Sequence, residues 1–124
     1  MSIVIPAGAD SAAARINPRL SEARLFANLA IEAPIPARGI LSQTLSNEND
    51  VEFLLFAFAA GEQLSEHTSA RPAIIHILEG EGELTVGGDP YPARPGTWLR
   101  MAPEVKHSLT ARTPMRMALY LLPR

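Results

Sequence analysis

Residues 61–107 read GEQLSEHTSARPAIIHILEGEGELTVGGDPYPARPGTWLRMAPEVKH, and this stretch decides the fold. Short apolar runs, Ala73–Glu79, Glu83–Val86 and Trp98–Ala102, are separated by Gly80 and Gly82, by Gly87 to Pro90, and by Arg94 to Gly96. Runs this short, bounded by glycine and proline, are the pattern of strands joined by tight turns. Two histidines, His67 and His107, stand near its two ends.

The same punctuation continues outward. His107–Ala111 and Met115–Leu122 read as two further strands broken at Thr113 and Pro114. Upstream, Gly39–Leu45 and Val51–Ala59 flank the turn-forming Ser46 to Asp50 and predict a hairpin. Its second strand is apolar on both faces, as for a strand covered on both sides. Several short strands without alternating helices predict an all-β sandwich or barrel. Residues 1–18 are small, polar and proline-punctuated and read as an N-terminal arm, leaving residues 19–124 as a single β-barrel domain. Asn17 and Pro18 read as a cap and first position of a short helix over residues 19–30, with Ala23, Phe26 and Ala30 on one side. A strand over Leu25–Ile31 is the competing reading.

Composition narrows the function classes. The chain has 124 residues, room for one domain and one core. A net charge of −2 without a basic cluster argues against nucleic acid as a partner. No apolar run approaches the roughly 18 residues needed to span a bilayer, so no membrane partner is expected. With no cysteine there is no thiolate ligand or nucleophile, which fits a cytoplasmic location. There is also no glycine-rich phosphate loop, no G-x-S-x-G elbow and no H-E-x-x-H metal motif.

The stretch resembles the two-motif signature of the cupins. The first cupin motif runs glycine, five residues, His-x-His, three or four residues, glutamate, six residues, glycine. Gly61, His67 and Gly80 match in register, with Ser69 at the second histidine and Ala73 at the glutamate. In the second motif Gly96 and His107 match. Ala102, Glu104 and Ala111 replace its proline, glycine and asparagine, and Pro103 lies one place from the proline position. The resemblance covers about residues 38–122. It implies an RmlC-like, double-stranded β-helix or jelly-roll barrel with a degenerate first motif. It also implies a site between His67 and His107 for a divalent transition metal such as Zn, Fe, Mn, Ni or Cu.

Strand parity then predicts the pocket. Residues two apart share a face, so Ser69 is expected to point inward with His67, and Ala73, Ile75 and Ile77 to share the lumen. Met101, Met115 and Met117 lie on strands and read as core or pocket-lining residues. His76 is expected on the outer face, on a sheet surface or at a dimer interface. Glu79, Glu81 and Glu83 read as a solvated hairpin rim. Any one of Arg71, Arg94, Arg100, Arg112 and Arg116 is a candidate for gripping an acidic substrate, and nothing in the sequence selects among them. Two histidines alone would bind metal weakly, because Ser69 is a poor ligand and Ala73 none. Two main functions stay open. The barrel binds a small organic ligand oriented by His67, Ser69 and His107, or it is a metal-dependent dioxygenase, isomerase or decarboxylase acting on a small polar metabolite. A scaffold with a vestigial pocket is a third reading. A homodimer is expected, because the doubly apolar strands Val51–Ala59 and Ala73–Leu78 need a cover, whether the N-terminal segment or a second subunit.

Overall fold

A computed structural model describes residues 23–124. The arm over residues 1–18 and the Asn17–Pro18 helix start lie outside the described residues. From Ile40 onward the chain forms nine strands: β1 (Ile40–Glu48), β2 (Val51–Phe58), β3 (Gln63–His67), β4 (Ala73–Glu79), β5 (Gly82–Val86), β6 (Asp89–Ala93), β7 (Trp98–Met101), β8 (His107–Ala111) and β9 (Met115–Leu121). One sheet has the order β1-β2-β9-β4-β7, the other β3-β8-β5-β6, and every pairing is antiparallel.

Two turns correct the expected strand limits. The first hairpin loop is only Asn49 and Asp50, both with positive φ, so β1 runs on through Ser46, Asn47 and Glu48. Likewise Gly87 and Gly88 alone form the β5–β6 loop, at φ 58° and 92°. Positive φ at both loop positions matches the twist of flanking strands. The chain beyond Gly88 therefore re-enters the sheet as β6, carrying Pro90 and Pro92. Proline donates no N–H, and β6 tolerates it because it is the sheet edge.

Between the sheets lies a core in which Phe58, Ile77, Leu84, Met115 and Met117 are almost wholly buried. Ala73, Ile75 and Ile77 belong to it and His76 does not, as the period-2 reading of β4 requires. Gly82 is fixed by packing, since a Cβ there would stand 2.0 Å from the Thr110 carbonyl oxygen.

The outer face of β1, β2 and β9 is covered by residues 26–35 of the same chain. Neither the helix over 19–30 nor the strand over 25–31 is present in the described part of that segment. A single helical turn, α1 (Leu29–Glu32), starts after Asn28, whose side chain accepts from the Ala30 N–H at 3.0 Å. Pro34 lies just beyond it and prevents continuation. Phe26 packs edge-on against Phe53 at 6.3 Å, and Phe53 stacks on Tyr120 at 4.7 Å. Arg116 Nε donates to the Ala33 carbonyl at 2.8 Å, and Gln43 Nε2 to that of Glu32 at 3.2 Å. The cover over β2 is thus the N-terminal segment.

Candidate ligand site

His67 and His107 meet across the β3–β8 pairing, where they stand opposite one another. Their ring centroids are 4.2 Å apart and the planes tilt by 58°. Unbroken alternation would not bring them together. Leu64 faces Leu109 in the core, so a histidine three residues beyond Leu64 belongs on the opposite face. The register shifts between Leu64 and His67, and this bulge returns the imidazole to the inner side.

Backbone carbonyls orient both rings. His67 Nδ1 lies 2.7 Å from the Ser65 carbonyl oxygen, and His107 Nδ1 lies 2.9 Å from that of Val105. A carbonyl only accepts, so Nδ1 of each ring carries the proton and donates it. Nε2 is left as an acceptor on both rings, with no protein partner among the described residues. His107 is buried and His67 exposed, which places His67 at the entrance. Burial holds the His107 pKa below its ordinary value of 6.5. The Val105 hydrogen bond opposes that shift, and the neighbouring His67 adds to it. His107 is therefore neutral near pH 7.

Beside the pair is a small cavity of ≈ 40 Å³, walled chiefly by Leu64, Ile75, Leu84, Leu109 and Met117. Of the expected pocket residues, His67, Ile75 and His107 line it. Ile77 and Met101 are buried in the same core but set back from the cavity. Ser69 is not brought to it. β3 ends at His67, and the Ser69 hydroxyl donates to the Arg71 carbonyl at 2.9 Å and accepts from the Arg71 N–H at 3.1 Å. Parity from His67 to Ser69 fails because the strand stops there. Met117, read from the sequence as core or pocket lining, stands in the wall, whereas sequence reasoning misses Leu84 and Leu109. The inward alternation of β8 from His107 to Leu109 is the signal that points to one of them.

The other candidates fall away from the site. Arg71 donates Nε to the Leu122 carbonyl at 3.0 Å and lies 3.6 Å from Glu52, tying the C-terminal strand to its surroundings. Arg116 pairs with Glu79. Arg94, Arg100 and Arg112 are exposed, and no arginine among the described residues lines the cavity.

A metal at this site would have Nε2 of His67 and Nε2 of His107 as protein donors. Among the described residues no group of three histidine, cysteine, aspartate or glutamate side chains could hold an ion. Catalytic zinc sites use three protein ligands and structural ones four, so this donor set does not fit a tightly held metal.

Glu104, at the position where the cupin motif has glycine, keeps a left-handed backbone with φ 67°. Its N–H donates to the Ser69 carbonyl at 2.8 Å, which joins the chain entering β8 to the loop after β3. The substitution has removed the glycine while the turn has kept glycine's geometry.

Comparison with known proteins agrees with this architecture. The cupin-domain family profile matches residues 54–122. A conserved protein of unknown function from Streptococcus pyogenes superposes with TM-score 0.71 at 26% identity, covering 80% of this chain and 88% of that one. A cupin superfamily protein from Desulfitobacterium hafniense gives 0.70 at 25%, covering 82% and 92%. Salicylate 1,2-dioxygenase from Pseudoaminobacter salicylatoxidans shares the fold at 16% identity, with TM-score 0.62 over 71% of this chain and 26% of that one. No curated protein sequence matches. No helix among the described residues is long and apolar enough to cross a membrane. With its two antiparallel sheets, its paired motif histidines and a profile match over more than half its length, the chain belongs to the cupin family.

Proposed function

We propose that this cupin binds a small organic ligand between its sheets, with the Nε2 atoms of His67 and His107 accepting hydrogen bonds from the ligand's polar end. The observation that carries this reading is the pair itself. Both rings are held by backbone carbonyls through Nδ1, and both offer an unengaged acceptor beside an otherwise apolar wall. Pockets for drug-sized molecules run to about 300–1,000 Å³, far above the ≈ 40 Å³ here. Only a ligand's head group of a few non-hydrogen atoms enters, and the rest extends past the exposed His67. Two acceptor nitrogens select a donor such as a hydroxyl or an amide N–H. A carboxylate would meet no arginine or lysine in the cavity.

A second reading is a weakly held divalent ion on the same two nitrogens, completed by water or by ligand atoms. The carbonyl-fixed Nδ1 favours it, because metal-bound histidines commonly donate their other N–H in this way. The likeness to a dioxygenase is too distant to assign an activity to this chain.

One experiment separates the readings. The protein is prepared without a histidine tag, analysed for metal content, and titrated with hydroxyl- and amide-bearing fragments while the imidazole NMR signals are followed. Ligand binding predicts metal-free protein whose His67 and His107 signals shift together, and loss of that shift in both His67→Ala and His107→Ala. Near-stoichiometric metal in the parent, lost in both variants, would favour the ion instead. Fragment binding unchanged in both variants removes the proposed site.

A further inference from the structure

The histidine pair accepts, and among the described residues no side chain around it donates. Both Nδ1 protons are engaged by the Ser65 and Val105 carbonyls, so each ring presents only its Nε2 lone pair. Apart from Ser108 the rest of the lining is apolar. Ser108 sits between the buried His107 and Leu109 on β8, so alternation turns its hydroxyl to the other face. No lysine, arginine, aspartate or glutamate lines the cavity.

The two acceptors are also close together. Ring centroids 4.2 Å apart put the imidazoles within the span that one atom bridges with two hydrogen bonds of about 3 Å each. Desolvating such a pair without a donor for each nitrogen is costly.

Three properties of the occupant follow. It donates twice from nearly one point, because a cavity of ≈ 40 Å³ admits few atoms. It brings no acceptor lone pair to that depth, where nothing would donate to it. It is uncharged, because no carboxylate in the lining offsets the desolvation of a cation. A hydroxyl fails twice, with one hydrogen and two lone pairs. A vicinal diol supplies two hydrogens but four lone pairs and more atoms. An ionised carboxylate donates nothing, and an ammonium carries its charge inward. The −NH2 of a conjugated system meets all three conditions. It has two N–H donors on one nitrogen, a lone pair delocalised into the neighbouring π system, and no charge.

We infer that the ligand enters with an uncharged, conjugated −NH2 group, as in a primary carboxamide, donating one N–H to Nε2 of His67 and the other to Nε2 of His107. This class rests on the reading of the pair as a ligand site and narrows the chemistry that the site takes. The amide carbonyl and the remainder of the molecule lie on the side of the exposed His67, where water reaches the oxygen.

The test counts donors on a constant ring. Full-length protein is titrated at about pH 8, above the ordinary imidazole pKa, while the histidine nitrogen NMR signals are followed. Benzamide offers two N–H donors, N-methylbenzamide one, benzyl alcohol one hydroxyl, and acetophenone none, with a methyl in place of the −NH2. Benzamide should move the Nε2 signals of both His67 and His107 and bind about tenfold or more tighter than each of the others, every one of which leaves a nitrogen without a donor. In His67→Ala, with its fold checked by circular dichroism, one acceptor remains, so the advantage of benzamide over benzyl alcohol should fall to about parity. A purely structural role for His67 would weaken both ligands and keep their ratio. Should His67→Ala fail to fold, the wild-type series decides alone. Benzyl alcohol binding as tightly as benzamide while moving both histidine signals overturns the −NH2 class and leaves the ligand site standing. Acetophenone matching benzamide, or an undiminished ratio in a folded His67→Ala, also overturns the class. Histidine signals unmoved by all four compounds remove the class and the site together.

Discussion

Two openings in this barrel share one wall residue and differ in nearly everything else. At the β3–β8 end, a cavity of ≈ 40 Å³ holds two oriented imidazoles among apolar side chains. At the β6–β7 side, a groove of ≈ 360 Å³ is lined by Val86, Tyr91, Pro92, Trp98 and Leu99, and the Thr97 hydroxyl on its wall is already engaged by the Arg94 N–H at 3.1 Å. Leu84 borders both. The larger space has no convergent polar groups, and the smaller one has two. Size alone would favour the β6–β7 groove over the proposed ligand site. Oriented polar atoms beside an apolar wall are what give a site its specificity.

The comparison breaks most severely at the shared wall. Leu84 is 2% exposed, so Leu84→Ala should cost about 2–5 kcal/mol in urea unfolding. It should also join the two spaces, giving faster amide exchange on β5 and β8. A loss below about 1 kcal/mol would mean that the sheets close over the gap. Next in size is the contrast between a polar group that is buried and an aromatic one that is not. His107→Ala leaves the Val105 carbonyl without its donor and should cost about 1–3 kcal/mol. Trp98→Ser should stay within about 0.5 kcal/mol. Equal losses would erase the distinction drawn between the two ends.

The remaining tests sharpen the histidine end. Glu104 holds a left-handed backbone three residues before His107, so Glu104→Gly should stabilise the fold by up to about 1 kcal/mol, visible as a raised urea midpoint. The smallest effect is in pH. The pKa of His107 is lower folded than unfolded, so the unfolded chain binds the proton more tightly. Stability from this group is full above about pH 6.5 and declines as pH falls below it toward the folded pKa. His107→Asn should flatten that part of the stability–pH curve. An unchanged slope would assign it to other groups.

Legibility in the sequence followed the integrity of each strand's period. β4 keeps its register from Ala73 to Ile77, shifting against β9 only between Ile77 and Glu79, so alternation alone places Ala73, Ile75 and Ile77 inside and His76 outside. β3 carries a bulge and then ends, so its parity reaches His67 only by an extra residue and never reaches Ser69. β6 is hidden in the sequence because Pro90 and Pro92 read as turn residues, although an edge strand tolerates them. The one-turn helix at Leu29–Glu32 departs from its expected start because the segment is held by contacts with β1, β2 and β9 more than by its own propensity.

By itself the sequence determined the all-β architecture and the family, and it singled out the two histidines of the proposed site. These depend on local turn chemistry, alternation and motif spacing, all of which a linear chain displays. Only the tertiary structure decided that both imidazoles offer Nε2, that Ser69 is spent within its own turn, and that residues 26–35 cover β2. Those outcomes depend on bulges, strand ends and contacts between residues far apart in the chain, and a linear pattern carries no record of them.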